Sequence, residues 1–180
     1  MPRYYRRRYR SYRSGKQKYS NETISFSGPT GALSPGDNFP ASEDNVGQLV
    51  VPATTVYGTR KVKNFEIQVT TEGLTSPVIG CLVYVPEGTT ANEINKPITG
   101  KDVTSVYEPN QNLIKQFIIP ASAYNTGSSI TNPNPVVTKV KTSLARNLDS
   151  GDEIRLIFCA VGDVLDGAQF AGTVNYAIKY

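Results

Sequence analysis

The sequence predicts an all-β protein, a sandwich of about eight strands behind a disordered basic arm. Three observations support this fold class. Short runs rich in β-branched and aromatic residues recur along the chain, several of them alternating between apolar and polar positions. The 15 glycines and 12 prolines fall largely between these runs, where they favour turns over long helices. No window shows the 3.6-residue period of an amphipathic helix.

The chain divides into three predicted segments. Residues 1–18 form a basic arm, 19–47 an extended lead-in with a short strand at 23–26, and 48–180 the sandwich domain. A length of 180 residues suffices for one domain with a substantial core. The predicted strands of that domain are 48–51, 62–70, 78–85, 103–107, 113–119, 136–144, 153–161 and 170–179.

Alternation within these runs predicts which side chains face the core. In 62–70, Phe65, Ile67 and Val69 share one face of the strand. Residues 78–85 are apolar on both faces, which predicts a strand buried on both sides or against a neighbouring subunit.

Two further runs also alternate. In 136–144, Lys139 and Lys141 lie on one face, and Val140 and Leu144 on the other. In 170–179 the core-facing set is predicted to be Phe170, Val174, Tyr176 and Ile178. Eight strands in two sheets fit a jelly roll, but an immunoglobulin-like sandwich or an up-and-down barrel would give a similar pattern.

The first 18 residues carry eight positive charges and no acidic residue. The rest of the chain keeps eleven of the nineteen basic residues against fifteen acidic ones, a net charge of −4. Such an arm cannot fold alone, because its charges repel and it has almost nothing apolar to bury. It also lacks the apolar face that a membrane contact needs, and no secretory signal is predicted.

Tyrosines are interleaved with the arginines in this arm, and this mixture is suited to binding single-stranded nucleic acid. Guanidinium groups pair with phosphate oxygens, and tyrosine rings stack on unpaired bases. The predicted nucleic-acid-binding residues are Arg3, Arg6, Arg7, Arg8, Arg10, Arg13, Lys16, Lys18, Tyr4, Tyr5, Tyr9 and Tyr12. Nuclear import is a second predicted use of the same charges. The alternatives are a solvated tail or a purely nuclear-targeting peptide.

One basic cluster lies outside the arm, at Arg60, Lys61 and Lys63. It is predicted as a secondary nucleic-acid surface, and its alternative is a solvated strand end. Asp149, Asp152 and Glu153 precede a late strand. They are interpreted as a polar hairpin turn, with a cation site at a subunit contact as the less favoured alternative.

Enzymatic chemistry is not predicted. The chain has no histidine, so it lacks the commonest general base and transition-metal ligand. It also has no tryptophan, and no cofactor or metal site is predicted. Cys81 and Cys159 lie in apolar runs and are interpreted as buried thiols, with a disulfide left open if their strands are neighbours.

Four segments together resemble the capsid proteins of small circular single-stranded DNA viruses that encode their own replication initiator, such as circoviruses, cycloviruses and nanoviruses. The segments are MPRYYRRRYRSYR at the start, TRKVKNFEIQV as the first long strand, SVYEPNQNLIKQFIIP, and RNLDSGDEIRLIF followed by a terminal GTVNYAIKY. Each motif alone is weakly specific, and the resemblance lies in their order along most of the chain.

The resemblance implies a single eight-stranded jelly roll that assembles, in about sixty copies, into an icosahedral shell. It implies that the arms, residues 3–18 here, lie inside on a single-stranded DNA genome and engage a host nuclear import receptor. The expected locations are the virion and the host nucleus. A cellular β-sandwich module that binds nucleic acid through a basic tail is the first alternative, and a carbohydrate-active jelly-roll enzyme is the second.

Overall fold

The computed structural model describes residues 18–40, 47–89, 112–126, 129–131 and 134–180. Within these ranges the chain forms strands and no helix. The strands are β1 (Ser20–Pro29), β2 (Asn38–Phe39), β3 (Gln48–Val51), β4 (Arg60–Glu72), β5 (Val78–Val85), β6 (Leu113–Ile119), β7 (Tyr124–Thr126), β8 (Ser129–Thr131), β9 (Val136–Thr142), β10 (Arg146–Leu148), β11 (Glu153–Ala160) and β12 (Gln169–Lys179).

These strands form two antiparallel sheets of five strands and one small hairpin, β7 with β8. The front sheet has the order β1-β12-β4-β10, and β9 also pairs with β4. The back sheet has the order β2-β11-β5-β6, and β3 also pairs with β11. The all-β class and the two-sheet sandwich predicted from the sequence are therefore confirmed.

Most of the predicted strands coincide with observed ones. The runs 48–51, 78–85 and 113–119 match β3, β5 and β6, and 62–70 lies within the longer β4. The strand predicted at 103–107 lies outside the described residues. The lead-in contributes more than expected, because β1 spans ten residues and pairs with β12 along its whole length.

One predicted strand is shorter than expected. The sequence predicts that the strand at 136–144 carries Val140 and Leu144 on one face. The strand ends at Thr142, and the side chain of Leu144 is 43% exposed. Val140 does pack against the core.

Aromatic side chains fill the space between the two sheets. Phe26 and Phe170 come from the front sheet, and Phe39 and Phe158 from the back sheet, with ring centroids 5.3–6.0 Å apart. Burying four such rings in contact supplies much of the apolar driving force for this fold. Ile67 and Leu156 are fully buried beside them.

The back sheet carries a second buried apolar cluster on its opposite face. Its members are Ile79, Cys81, Val83, Val85, Ile157 and Cys159, with Leu113 and Val161 packed against them. Residues 78–85 are therefore buried on both faces, as their uninterrupted apolar sequence predicted. Both cysteines are buried thiols on the neighbouring strands β5 and β11.

No helix long and apolar enough to cross a membrane occurs among the described residues.

Candidate nucleic-acid interface

Most of the predicted arm contacts lie outside the described residues. These are Arg3, Arg6, Arg7, Arg8, Arg10, Arg13, Lys16, Tyr4, Tyr5, Tyr9 and Tyr12. Lys18 is the first described residue, and its exposed side chain lies two residues before the start of β1. The position of Lys18 therefore fixes where the arm joins the sandwich.

The arm joins the front sheet at the end where β4 begins and β12 finishes. Ser20, the first residue of β1, lies opposite Ile178, which in turn lies opposite Val62 of β4. Lys18 and Tyr19 therefore extend from the same end of the sheet. We call the surface made by Lys18, Tyr19, Lys61, Lys63 and Lys179 the arm end of the front sheet.

Two lysines at the arm end lie directly opposite each other. Lys61 of β4 pairs with Lys179 of β12. Their neighbours Val62 and Ile178 are buried in the core, so the two lysines lie on the outer face. Opposed residues in antiparallel strands have Cβ atoms about 4.5–5.5 Å apart, and like charges there destabilise the sheet. The arm end thus concentrates positive charge at a cost to stability.

No acidic side chain forms a salt bridge with either lysine among the described residues. The ion pairs in that part of the chain join Lys141 to Glu66, at 3.0 Å, and Arg155 to Glu153. Lys141 lies on the same outer face but is charge-paired. Within the described ranges, Lys61 and Lys179 therefore differ from Lys141 in having no carboxylate ion-pair partner.

Lys63 adds an aromatic partner to this surface. Its Nζ lies 3.9 Å from the ring centroid of Tyr19, a cation–π contact. The contact connects the last residue before β1 to the middle strand of the sheet. It holds a tyrosine next to the arm, and a tyrosine is the residue type on which unpaired bases stack.

A β-bulge places these lysines outside. Phe65 and Ile67 face the core, so strict alternation would turn Lys61 and Lys63 inward as well. Asn64 has a φ of 56°, in the left-handed region that asparagine tolerates, and the register with β12 shifts at this point. The extra residue reverses the parity, so that Val62 is buried and the lysines face outward.

Arg60 differs from the two lysines with which the sequence grouped it. Its side chain is buried, and its guanidinium donates hydrogen bonds to the carbonyl of Pro52 at 2.8 Å and of Asp152 at 3.0 Å. Arg60 thus ties together the chain segments before β4 and before β11. Of the three clustered cations, Lys61 is exposed and Lys63 half-buried, whereas Arg60 lies beneath the surface.

The acidic turn before β11 is built around a buried carboxylate. Asp152 accepts hydrogen bonds from the Tyr84 hydroxyl at 2.7 Å, the Asp149 amide at 2.8 Å and the Glu87 amide at 3.1 Å. Burial, then the hydrogen bond and negative charge of Asp152, raise the pKa of Tyr84 to about 12. These contacts fit the interpretation of 149–153 as a structural turn.

The described part of the chain contains no cluster of three or more metal-ligating side chains of the His, Cys, Asp or Glu type. Glu153 bonds to Arg155, and the Asp149 carboxylate accepts a hydrogen bond from the Thr59 hydroxyl at 2.9 Å. The carboxylates of the turn are thus engaged within the protein.

Sequence reasoning missed Lys179 and Tyr19. The alternation of Phe170, Val174 and Ile178 implied that Lys179 faces outward, but not which strand lies beside it. Tyr19 lies directly after the predicted arm, where no alternation of apolar and polar residues indicates the orientation of its side chain. Both become part of the arm end only through pairing between strands more than 100 residues apart in the sequence.

Comparison with known proteins does not assign the chain to a family. No protein-family model matches it, and no curated protein matches it. Its function must therefore be inferred from its own residues.

Proposed function

We propose that the chain is a viral capsid protein that assembles into an icosahedral shell of about sixty copies and packages single-stranded DNA through its basic arm. The observation that carries this proposal is the division of charge. Eight cations precede residues 19–180, which carry a net charge of −4, and the arm joins the front sheet at a surface rich in lysine.

The strand order supports a single jelly roll. Among the strands of four residues or more, the outermost in sequence pair with each other, β1 with β12 and β3 with β11. The inner ones follow the same rule, β4 with β9 and β5 with β6. This is the order of a long antiparallel hairpin rolled into two four-stranded sheets, which favours the jelly roll over an immunoglobulin-like sandwich or an up-and-down barrel.

The charge arithmetic fits a container for nucleic acid. Sixty arms of eight cations would supply roughly +480 to the interior, enough to neutralise several hundred phosphates. A weakly charged sandwich domain would limit repulsion between closely packed subunits. The virion and the host nucleus are the proposed locations, with a nuclear import receptor as a transient partner of the arm.

A cellular β-sandwich module that binds nucleic acid through a basic tail is the alternative. It shares the composition, the fold class and the basic arm end. The two proposals differ in assembly, because only a capsid protein forms closed shells of uniform diameter. Negative-stain electron microscopy of the purified protein distinguishes them.

Nucleic-acid binding by the arm can be tested by titrating labelled oligonucleotides at several salt concentrations. Replacing the six arm arginines, Arg3, Arg6, Arg7, Arg8, Arg10 and Arg13, with Ser should collapse affinity and flatten the salt dependence. Replacing Tyr4, Tyr5, Tyr9 and Tyr12 with Ser should weaken the preference for single strands over duplex and keep most of the salt slope. Full affinity in the arginine variant would contradict the assignment of the arm.

A further inference from the structure

We infer that a surface pocket beside the arm end binds an unpaired base of a single-stranded nucleic acid, whose phosphates lie on Lys61 and Lys179. The inference rests on the proposed function and adds a defined binding site on the sandwich domain itself. It is carried by the pocket, by exposed aromatic rings in its wall and by two lysines that directly adjoin its residues Arg60 and Tyr180 in β4 and β12.

The pocket has a volume of about 210 Å³ and is lined mainly by apolar atoms. Its walls include Val56, Tyr57 and Tyr180, which are 72%, 96% and 78% exposed. Large apolar side chains this exposed and gathered around one cavity indicate a binding surface. Two tyrosine rings and a valine suit a flat aromatic ligand such as a nucleobase.

Arg60 is the cation in the wall of this pocket, and Lys61 and Lys179 adjoin the pocket residues Arg60 and Tyr180 along the chain. The buried Arg60 guanidinium lies beneath the pocket, held by the carbonyls of Pro52 and Asp152. Lys61 follows Arg60 in β4, and Lys179 precedes Tyr180 at the end of β12. Arg60 lies on the core side of β4 and Lys61 on the outer side, so the cations flank the strand ends from both directions.

Carboxylates also lie near the same end of the sandwich, and that of Asp152 is held by Tyr84 and by the Glu87 and Asp149 amides. Asp149 is bonded to Thr59, a residue of the pocket wall. Glu22 is close enough to Tyr176 to contribute to the raised pKa of that tyrosine, after the larger effect of burial. None of these carboxylates forms a salt bridge with Lys61 or Lys179 in the described part of the chain. A phosphate backbone would therefore be drawn to the lysine side of the pocket.

A nucleic-acid strand fits this surface better than a second copy of the chain. A second copy would bring a sandwich domain, residues 48–180, with as many basic as acidic residues, so it would offer no net negative charge to the lysines. A single strand carries a negative charge on every nucleotide and an aromatic base beside each one. The arm also joins the front sheet at this end, so a strand held by the arm is already close to the pocket.

The inference predicts two separable effects on binding of a dT oligonucleotide of about twelve bases. In the full-length chain, Tyr57→Ser with Tyr180→Ser should lower affinity by about 5- to 150-fold and leave the salt slope unchanged. Lys61→Ala with Lys179→Ala should reduce the salt slope by about 1.4, because each single-strand phosphate contact contributes roughly 0.7. Lys141→Ala, on the same outer face but paired with Glu66, is the matched control and should change neither.

Photo-crosslinking with a 5-iodouracil-substituted single strand distinguishes the pocket from the arm. The expected result is crosslinked peptides that contain Tyr57 or Tyr180 in addition to arm peptides, with the pocket crosslinks lost in the Lys61→Ala, Lys179→Ala variant. Crosslinks confined to the arm would overturn the pocket and leave the proposed function standing. If neither arm peptides nor pocket peptides were crosslinked, the pocket and the proposed function would both be overturned. If Tyr57→Ser instead abolished self-association without changing crosslinking or affinity, the pocket would belong to a contact between copies.

Discussion

Lys61 and Lys179 lie directly opposite each other on the outer face of the front sheet, with Val62 and Ile178 buried behind them. Two opposed like charges lower the stability of an antiparallel pair. The pair therefore lowers the stability of the folded sheet but favours binding of a polyanion, because the charges that repel each other also attract negative groups.

Removing one of these charges should therefore stabilise the free protein and weaken nucleic-acid binding. We expect Lys179→Gln to raise the free energy of unfolding by about 0.2–1 kcal/mol at low salt and to lose this gain at high salt. Lys141→Gln should lower the free energy of unfolding slightly or leave it unchanged, since it breaks an exposed ion pair with Glu66. Chemical denaturation at two ionic strengths measures both. A Lys179→Gln protein less stable than the parent at low salt would show that Lys179 is a structural residue.

The hydrogen bond from Tyr84 to Asp152 should contribute to stability in a pH-dependent way. Tyr84→Phe leaves a buried carboxylate with one donor fewer and should cost about 1.5–3 kcal/mol at neutral pH. The folded-state pKa of Tyr84 is raised to about 12, above the unfolded value of about 10. The stabilisation is therefore complete below about pH 10 and is lost as the pH rises through about 12.

Denaturation followed by circular dichroism across this range checks the prediction. The stability difference between the parent and Tyr84→Phe should shrink between about pH 10 and pH 12. Tyr57→Phe, at a side chain that is 96% exposed, is the matched control. A constant difference from pH 8 to pH 12 would contradict the role of the Tyr84 hydroxyl.

Gly172 is required in β12 because another strand approaches it closely. An added Cβ would meet the ring of Phe26 and would lie 2.6 Å from the carbonyl oxygen of Gln68. The backbone of β4 cannot move aside easily, so Gly172→Ala should destabilise the fold by about 1–3 kcal/mol. Gly28→Ala in β1, where the nearest atom is 3.9 Å away, should be neutral or slightly stabilising. Thermal melting of the two variants compares them, and equal melting temperatures would refute the steric account.

The two cysteines should be dispensable for binding. Cys81 and Cys159 are each 1% exposed in the apolar cluster of the back sheet, away from the arm end. Replacing both with Ala should lower stability by roughly 1–3 kcal/mol through lost packing and leave oligonucleotide affinity unchanged. A folded double variant that no longer binds nucleic acid would contradict this view.

Alternation predicted the core better than it predicted the surface. The inward positions of Phe65, Ile67 and Val69 followed from a period of two, because burial and side-chain parity are linked within one strand. The outward positions of Lys61 and Lys63 did not, since the bulge at Asn64 interrupts the parity. A single asparagine in a strand is too weak a signal to locate a bulge.

Long-range pairing explains what else the sequence could not predict. Lys179 becomes half of a charged pair only because β12 lies beside β4, and Arg60 is buried only because the turn at Asp152 folds over it. Both facts depend on which strands become neighbours in the sheet, and a short stretch of sequence does not reveal this. The separation of a cationic arm from a nearly neutral domain could be predicted without knowing the strand pairing, because it follows from the positions of the charged residues in the sequence alone.

The most direct test of the central claim is the mass of the assembled protein, measured by mass photometry together with negative-stain electron microscopy in the presence of single-stranded DNA. A shell of about sixty chains of 19.6 kDa should give a protein mass of about 1.2 MDa, uniform closed particles and nuclease-protected DNA. The variant without the six arm arginines should protect little DNA. Monomers or a broad distribution of oligomers, with no closed particles at any salt concentration tested, would contradict the capsid proposal.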